Sequence, residues 1–260
     1  MSQRKIILHL HLFKNAGTSI DRILSENFGS RWMAYDGEQP GEILCAERFE
    51  EVILAHPEIE AFSSHQLVPP LPDTDLFVFP IVFIRHPIER IKSAYLFEWK
   101  KQGGLDVPKG TLQEYIDSKL VMRRRNVIEN FQTMRLSNTS RKNFQNIDNY
   151  SDCELLERAK SFLDQIPCIG VVDRFDESIE LIQCEVNNFW PSLKFFATQE
   201  NVSQDINQTT LEKLDGIRQE LGAESYQRIV DANLMDIELY EYACQLLDQT
   251  LVRNKVSARA

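Results

Sequence analysis

The sequence predicts an α/β fold in which a central parallel sheet is covered by helices on both faces. Apolar runs that read as buried strands, such as residues 76–84, alternate along the chain with segments whose apolar residues recur at helical spacing. The apolar run at residues 5–12 also leads directly into a small-residue turn and a helical pattern, the ingredients of a phosphate-binding turn. The length of 260 residues suffices for one such unit, and we expect residues 1–260 to form a single domain.

The first third of the chain starts with the buried strand at residues 5–12, rich in Ile and Leu. After the turn, apolar residues recur at helical spacing until Gly29, which is expected to end the helix. We expect a loop at residues 29–42, where glycine and proline are frequent, and a second helix at residues 45–54.

The middle of the chain contains a short predicted strand at residues 61–67, followed by a proline-rich loop. Residues 76–84 give the strongest strand signal, but Pro80 lacks an N–H donor, so we place the strand after it. Pro87 is expected to open a helix with an apolar stripe, and Gly103 with Gly104 to end it.

Helices and strands are expected to alternate again in the rest of the chain. Residues 111–135 are predicted to be helical, and residues 137–150, rich in Asn and Ser, to form a loop. The remaining predicted elements are a helix at 157–166, a buried strand at 168–172, a helix with an apolar face at 179–189, a strand at 193–197, a polar loop at 198–208 and a helical C-terminus.

Composition and charge exclude several classes of protein. The net charge of −10 argues against a general nucleic-acid-binding protein, and no run approaches the roughly 20 apolar residues of a membrane span. Five cysteines without a C-x-x-C pair are typical of reduced thiols rather than of a disulfide frame or a zinc site. Because the N-terminal run is also a poor signal peptide, we expect a cytoplasmic protein.

The segment from Lys119 to Lys142 departs from this acidic background. It contains seven basic residues and one acid, a net charge of +6 in a chain whose total is −10. Two interpretations stand: a solvated basic face, or a local field for an anionic ligand on an otherwise acidic protein.

The turn at residues 14–19 has the composition of an anion site at a helix N-terminus. Gly17 lets the backbone approach a ligand closely, Thr18 and Ser19 offer hydroxyl and amide donors, and Lys14 adds a cation. The usual ATP-binding order, in which Lys follows the glycine, is missing. Simple helix capping would explain Thr18 and Ser19, but not Lys14 and Gly17 together.

A second anion site is predicted where the strand at residues 76–84 ends. Arg85 lies at the ligand edge of the sheet, and Ser93, two turns into the next helix, can return to that edge. Arg90 is expected to be a surface residue or an ion-pair partner. A nucleotide kinase would place an Asp at the strand end to organise Mg²⁺. An Arg there instead points to a ligand with two separated phosphates and no required metal.

Together, HLFKNAGTS (11–19) and RHPIERIKSAY (85–95) resemble the nucleotide-binding signatures of sulfotransferases that use 3′-phosphoadenosine 5′-phosphosulfate (PAPS). FSSHQL (62–67), ENFQTMRLS (129–137) and IGVVDRFDESIELI (169–182) extend the resemblance to the carbohydrate branch that includes heparan sulfate 2-O-sulfotransferase. The resemblance covers most of residues 5–190. It implies a P-loop-like, three-layer fold.

The resemblance also implies roles for individual residues. The 5′-phosphosulfate would bind at Lys14, Asn15, Ala16, Gly17, Thr18 and Ser19, and the 3′-phosphate at Arg85 and Ser93. Lys14 would stabilise the leaving oxygen of the product, adenosine 3′,5′-bisphosphate (PAP), and His65 would be the general base, with no metal required. The acceptor is expected to be a hydroxyl of a carbohydrate or small metabolite. Arg124 and Arg135, from the basic segment, are candidate contacts for it, although they could equally contact the cofactor.

Other residues compete for the role of the base. We expect His9 to lie in the core, His11 to be a structural hydrogen-bonding residue and His56 to lie at the surface, whereas Asp36, Glu38 or Glu98 remain alternative bases. Relatives carry Lys or Arg in the loop after the last strand, but residues 195–212 contain none. That loop therefore offers no cationic side chain to a phosphate.

Two other functions remain open from the sequence. A P-loop kinase for a small molecule would use Mg-ATP, with Asp173 as the candidate magnesium ligand. A catalytically silent nucleotide-binding protein would retain the fold without turnover. The sequence leaves the oligomeric state and the acceptor unspecified.

Overall fold

Five parallel strands form one sheet at the centre of the protein. The computed structural model describes residues 3–39, 42–73, 75–121, 127–137, 150–195 and 208–257. The strands are β1 (Lys5–Leu10), β2 (Trp32–Ala34), β3 (Ala61–Ser64), β4 (Phe77–Ile84) and β5 (Gly170–Val171), in the order β2-β3-β1-β4-β5. The predicted central parallel sheet is therefore confirmed.

Nine helices are found among the described residues, and several start at signals visible in the sequence. They are α1 (Gly17–Phe28), α2 (Ala46–Ala55), α3 (Pro87–Leu96), α4 (Leu112–Leu120), α5 (Phe131–Leu136), α6 (Asp152–Leu163), α7 (Phe175–Asn187), α8 (Thr210–Asp231) and α9 (Leu234–Ser257). A π-helical turn, Phe97–Lys101, continues α3. Helices α4, α6 and α8 each begin at a Thr or Ser capping box with a Glu three residues later.

The sheet is buried on both faces. Every residue of β3 and all but the first residue of β1 are buried, as expected for parallel strands covered by helices. The apolar stripe of α3 packs apart from this main core, in a second cluster with α4 and α8. Arg90 lies fully buried in this region, with its guanidinium 4.6 Å from the Phe131 ring centroid. Its expected position at the surface was wrong, because α3 is covered on that side.

The order of the strands brings three loops together at one end of the sheet. Strand β1 lies between β3 and β4, with Leu10 paired to Ser64 on one side and to Val82 on the other. Because the strands are parallel, the residues that follow them meet at the same edge. The turn after β1, His65 after β3 and Arg85 after β4 therefore lie side by side, with the turn in the middle.

Two expectations about strands were wrong. Pro80 lies inside β4, opposite Leu8, and not before the strand. Strand β5 pairs with β4 only at Phe83 and Ile84, so Pro80 has no strand on its second side among the described residues, where a missing donor costs nothing. The expected loop at residues 29–42 contains β2, a three-residue strand paired with β3.

Later elements differ in extent from the prediction. Residues 111–135 do not form one helix, because α4 ends at Leu120 and residues 127–130 are turns and bends, with Asn130 at a φ of 43°. The strand expected at 168–172 is shortened to β5. Of the strand expected at 193–197, residues 193–195 are in no strand and the rest lies outside the described residues. None of the helices that the structure describes is long and apolar enough to cross a membrane.

Candidate active site

The turn between β1 and α1, residues 14–19, has an unusual backbone. Lys14 and Ala16 both adopt left-handed conformations, with φ of 65° and 60°, which non-glycine residues rarely do. Such turns point successive N–H groups into one concavity. Of the first N–H groups of α1, that of Ser19 donates to the carbonyl oxygen of Ala16 at 3.0 Å, and those of Gly17 and Thr18 have no acceptor within the helix. The turn thus has a backbone conformation that is able to hold an anion.

Gly17 is required here by close packing. A Cβ atom at this position would lie 2.0 Å from Cδ2 of His11, so even alanine would displace the imidazole ring. His11 in turn stacks on His65, with ring centroids 3.8 Å apart. The turn at residues 14–19 and His65 therefore both pack against the ring of His11.

Three cations approach this turn. Arg85 donates from Nη1 to the carbonyl oxygen of Lys14 at 3.3 Å, so the two predicted anion sites lie next to each other. Burial and the nearby charges of Arg85 and Lys101 lower the pKa of Lys14 to about 8. Its Nζ lies 4.6 Å from the centroid of the Phe97 ring. This concentration of positive charge favours an anionic ligand.

Arg85 also contacts an acidic residue, Glu89 of α3. Its Nη2 lies 3.4 Å from Oε2 of Glu89, which is fully buried. Burial and the nearby Asp173 raise the pKa of Glu89, against the opposing charges of Arg85 and Lys213. Ser93 lies one turn beyond Glu89 on the same face of α3 and is almost completely buried.

His65 is oriented by Asp36, which follows β2. Asp36 accepts from Nδ1 of His65 at 2.9 Å through one oxygen, and from its backbone N–H at 2.8 Å through the other. Ser64 donates a third hydrogen bond at 3.0 Å. Burial opposes the ionised form, but the interactions with His65 and Ser64 lower the pKa of Asp36 overall. Because a carboxylate only accepts, Nδ1 of His65 carries the hydrogen and Nε2 is left as the basic atom.

The two arginines predicted to bind substrate have different outcomes. Arg135, on α5, donates to the backbone oxygen of His65 and so supports the loop that carries this histidine. Burial lowers its pKa to about 10, and the charge of Asp36 acts in the opposite direction. Arg124 lies outside the described residues. Contact of either residue with a substrate stays a prediction.

His9, His11 and Asp21 form a cluster of potential metal ligands below the turn, with their ligand atoms within 4.8 Å of one another. Hydrogen bonds account for this arrangement: Asp21 accepts from Nδ1 of His9 at 2.9 Å and from Nδ1 of His11 at 2.8 Å. Burial, with the neighbouring His9 and His65, lowers the pKa of His11 to about 4, although Asp21 acts against this. His11 is therefore a neutral, structural ring, in agreement with the expectation from the sequence.

The remaining residues of the predicted cofactor site are placed differently. Thr18 is exposed at the start of α1, and Ser19 is buried beneath it. Asn15 is buried, and both hydrogens of its amide are donated inside the protein, to the backbone oxygen of Phe83 and to Gln132. Only its carbonyl oxygen has no partner among the described residues. The side chain of Asn15 thus connects the turn after β1 to β4 and α5.

Sequence reasoning missed several contributors to the site. Asp36 was considered as a base, not as the partner of His65, because β2 and its pairing with β3 had not been predicted. Lys101 was missed because it lies on a π-helical turn beyond the predicted motif. Gln132 was part of the motif at 129–137, but nothing in that motif indicated its contacts.

The chain is similar in sequence to known proteins. The sequence model of the sulfotransferase family matches residues 1–243. A protein of Archaeoglobus fulgidus, described as uncharacterized, is 30% identical over 250 residues, which cover 92% of this chain and 95% of that protein.

Proposed function

Since this chain belongs to the sulfotransferase family, whose members transfer sulfuryl groups, we propose that its donor is PAPS and its acceptor a hydroxyl group. The carrying observation is the arrangement at one end of the sheet, where the turn at 14–19 lies between Arg85 on one side and His65 on the other. The acceptor that fits a His base best is the hydroxyl of a carbohydrate or a small metabolite.

The residues at and beside the turn at 14–19 suit the two phosphates of the donor. The concave backbone and the glycine without a Cβ atom leave room for the 5′-phosphosulfate at the start of α1. Nε of Arg85 is buried without a hydrogen-bond partner among the described residues, so it has a donor for the 3′-phosphate. Ser93 supplies a hydroxyl from the same helix that carries Glu89.

Each residue then has a chemical task. The donor supplies a sulfuryl group bonded to a phosphate oxygen that becomes negative as the bond breaks. Lys14 and the N–H groups of the turn stabilise that charge. Nε2 of His65 takes the proton of the acceptor hydroxyl, and Asp36 stabilises the imidazolium that forms. The stacked His11 stays neutral and therefore adds no repulsion.

Transfer of labelled sulfate from PAPS to a panel of sugars and small hydroxylated metabolites tests this proposal. We expect turnover that EDTA does not reduce. Phosphate transfer from Mg-ATP, abolished by EDTA, would favour the small-molecule kinase. Binding of PAP without turnover on any acceptor, unchanged by substitution of His65, would favour the catalytically silent protein.

The affinity for PAP is expected to fall as the pH rises above about 8. Lys14 binds phosphate in its charged form, which predominates below its lowered pKa of about 8. Loss of one proton reduces the binding constant by about tenfold per pH unit above that value. Ionisation of Glu89 also lowers the affinity for PAP as the pH rises, because it places a negative charge beside Arg85. Calorimetric titrations from pH 6.5 to 9.5 measure the effect, and Lys14→Arg is the control that should remove most of it. An affinity of the wild type that stays constant to pH 9.5 would contradict this assignment.

Asp36→Asn is expected to lower kcat by about 10²-fold, a loss typical of a misplaced catalytic group. The amide keeps the size of the side chain but can present N–H to Nδ1 of His65, which favours the tautomer with the hydrogen on Nε2. The KM for PAPS should be unchanged, because Asp36 lies on the side of His65 away from Arg85. Asp73→Asn, an exposed carboxylate before β4, is the matched control. A variant with wild-type kcat would show that His65 needs no partner.

A further inference from the structure

One buried amide connects the two anion sites. Gln132, the second residue of α5, is fully buried. Its Oε1 accepts from Nδ2 of Asn15 at 2.6 Å and from the backbone N–H of Arg85 at 2.9 Å. Its Nε2 donates to the backbone oxygen of Arg85 at 2.9 Å. A single side chain thus contacts both the turn at 14–19 and the residue that follows β4.

The contacts to Arg85 replace those of a strand. Strand β4 ends at Ile84, so the backbone N–H and oxygen of Arg85 lie beyond the ladder. Gln132 binds both groups with the two ends of its amide, as the backbone of a neighbouring strand would. The position of Arg85 is therefore fixed by a side chain from another part of the chain.

Gln132 is itself held by α9. The buried Asp236 accepts from the backbone N–H groups of Gln132 at 3.0 Å and Thr133 at 2.7 Å, and so caps the start of α5. Asn233 accepts from the backbone N–H of Asn130 at 3.1 Å. Helix α5 has only six residues, and these contacts give it a defined place against the sheet.

We propose that Gln132 is a positioning residue that sets the distance between the 5′-phosphosulfate site and the 3′-phosphate site. This inference rests on the proposed function, since it presumes that Lys14 and Arg85 bind two phosphates of one molecule. Gln132 touches neither phosphate. It acts through Asn15 on one site and through the backbone of Arg85 on the other.

If this proposal is correct, changing Gln132 should reduce the preference of the protein for PAP over adenosine 5′-phosphate. In Gln132→Glu, a carboxylate oxygen replaces Nε2, which lies 2.9 Å from the backbone oxygen of Arg85 and 3.4 Å from Oδ2 of Asp236. Both contacts become repulsive, and the tip of β4 moves relative to the turn. We expect the affinity for PAP to fall by about 10–100-fold, the range of one or two charge-assisted hydrogen bonds. The affinity for adenosine 5′-phosphate, which uses the turn alone, should fall by less than about threefold on the same reasoning.

The experiment is calorimetric titration of wild type and variants with PAP and, separately, with adenosine 5′-phosphate. Gln183→Glu is the matched control, because Gln183 is also an amide that donates to a backbone oxygen, that of Leu193 at 2.9 Å, and it lies on α7. The control should keep the wild-type ratio of the two affinities. If Gln132→Glu does not fold, Asp236→Asn, which loosens the same contacts, replaces it, with folding checked by thermal unfolding.

The outcomes separate this inference from the proposed function. The inference is supported if the ratio of the affinity for PAP to that for adenosine 5′-phosphate falls in Gln132→Glu or Asp236→Asn, but not in Gln183→Glu. An unchanged ratio in a folded variant, or equal losses for both ligands, overturns it and leaves the proposed function intact. A wild type that does not prefer PAP overturns the proposed function as well.

Discussion

His65→Ala is expected to lower kcat by about 10³-fold, within the usual range for loss of a general base, while PAP still binds with wild-type affinity. The imidazole is the basic group that follows β3, and Asp36 leaves its Nε2 free to accept a proton. The ring contacts His11, not Arg85, so its removal leaves the 3′-phosphate site untouched. Steady-state rates with labelled PAPS and calorimetric titration with PAP measure the two effects separately.

The matched control for this variant is His56→Ala. His56 lies at the end of α2, is partly exposed and has an acidic neighbour, Glu58, at 3.6 Å. Its removal should change neither rate nor affinity. Turnover of His65→Ala at the wild-type rate would move the base elsewhere, with Asp36 as the first alternative because it lies within hydrogen-bond distance of the same ring.

Arg85→Ala is expected to weaken PAP binding by about 10²-fold, as for the loss of charge-assisted hydrogen bonds to a phosphate. The affinity for adenosine 5′-phosphate should change little, because the turn at 14–19 is retained. Loss of the guanidinium also removes the cation that lies 3.4 Å from the buried Glu89, which adds repulsion toward a second phosphate.

Two further variants are compared with Arg85→Ala: one keeps the charge at this position, and the other is a control elsewhere on the protein. Arg85→Lys keeps the charge but loses the planar fork, so it should recover only part of the affinity. Arg174→Ala removes a surface guanidinium that pairs with Glu177 and Asp248 and should have no effect on either ligand. Equal losses for PAP and adenosine 5′-phosphate in Arg85→Ala would show that Arg85 does not serve a separate 3′-phosphate.

The features that could be predicted from the sequence are those encoded locally. The apolar run of β1, the turn with Gly17 and the helical spacing after it define the anion site within a few neighbouring residues. The same holds for Arg85, which follows a strongly apolar strand. Sheet topology then places these tips side by side, because parallel strands end at one edge.

The features that were missed depend on contacts between distant parts of the chain. Asp36 reaches His65 only because β2, three residues long, pairs with β3, and such a short strand gives little signal in the sequence. Gln132 reaches Arg85 from 47 positions away. Pro80 is tolerated inside β4 because β5 is short, and the length of β5 could not be predicted from the sequence either.

The acceptor and the branch of the family remain predictions from motif resemblance. Family membership shows sulfuryl transfer in general, and the relative from Archaeoglobus fulgidus adds similarity along nearly the whole chain. Arg135 lies beside His65, and its charged guanidinium donates to the backbone oxygen of that residue. A screen of neutral and anionic sugars would show whether that charge also selects the acceptor.

The most direct test of the central claim compares the binding of PAP, adenosine 5′-phosphate and adenosine 3′-phosphate to the wild-type protein in the presence of EDTA. If Lys14 and Arg85 bind the two phosphates of one nucleotide, PAP should bind at least about 10²-fold more tightly than either monophosphate. Equal affinities for all three nucleotides would contradict the account.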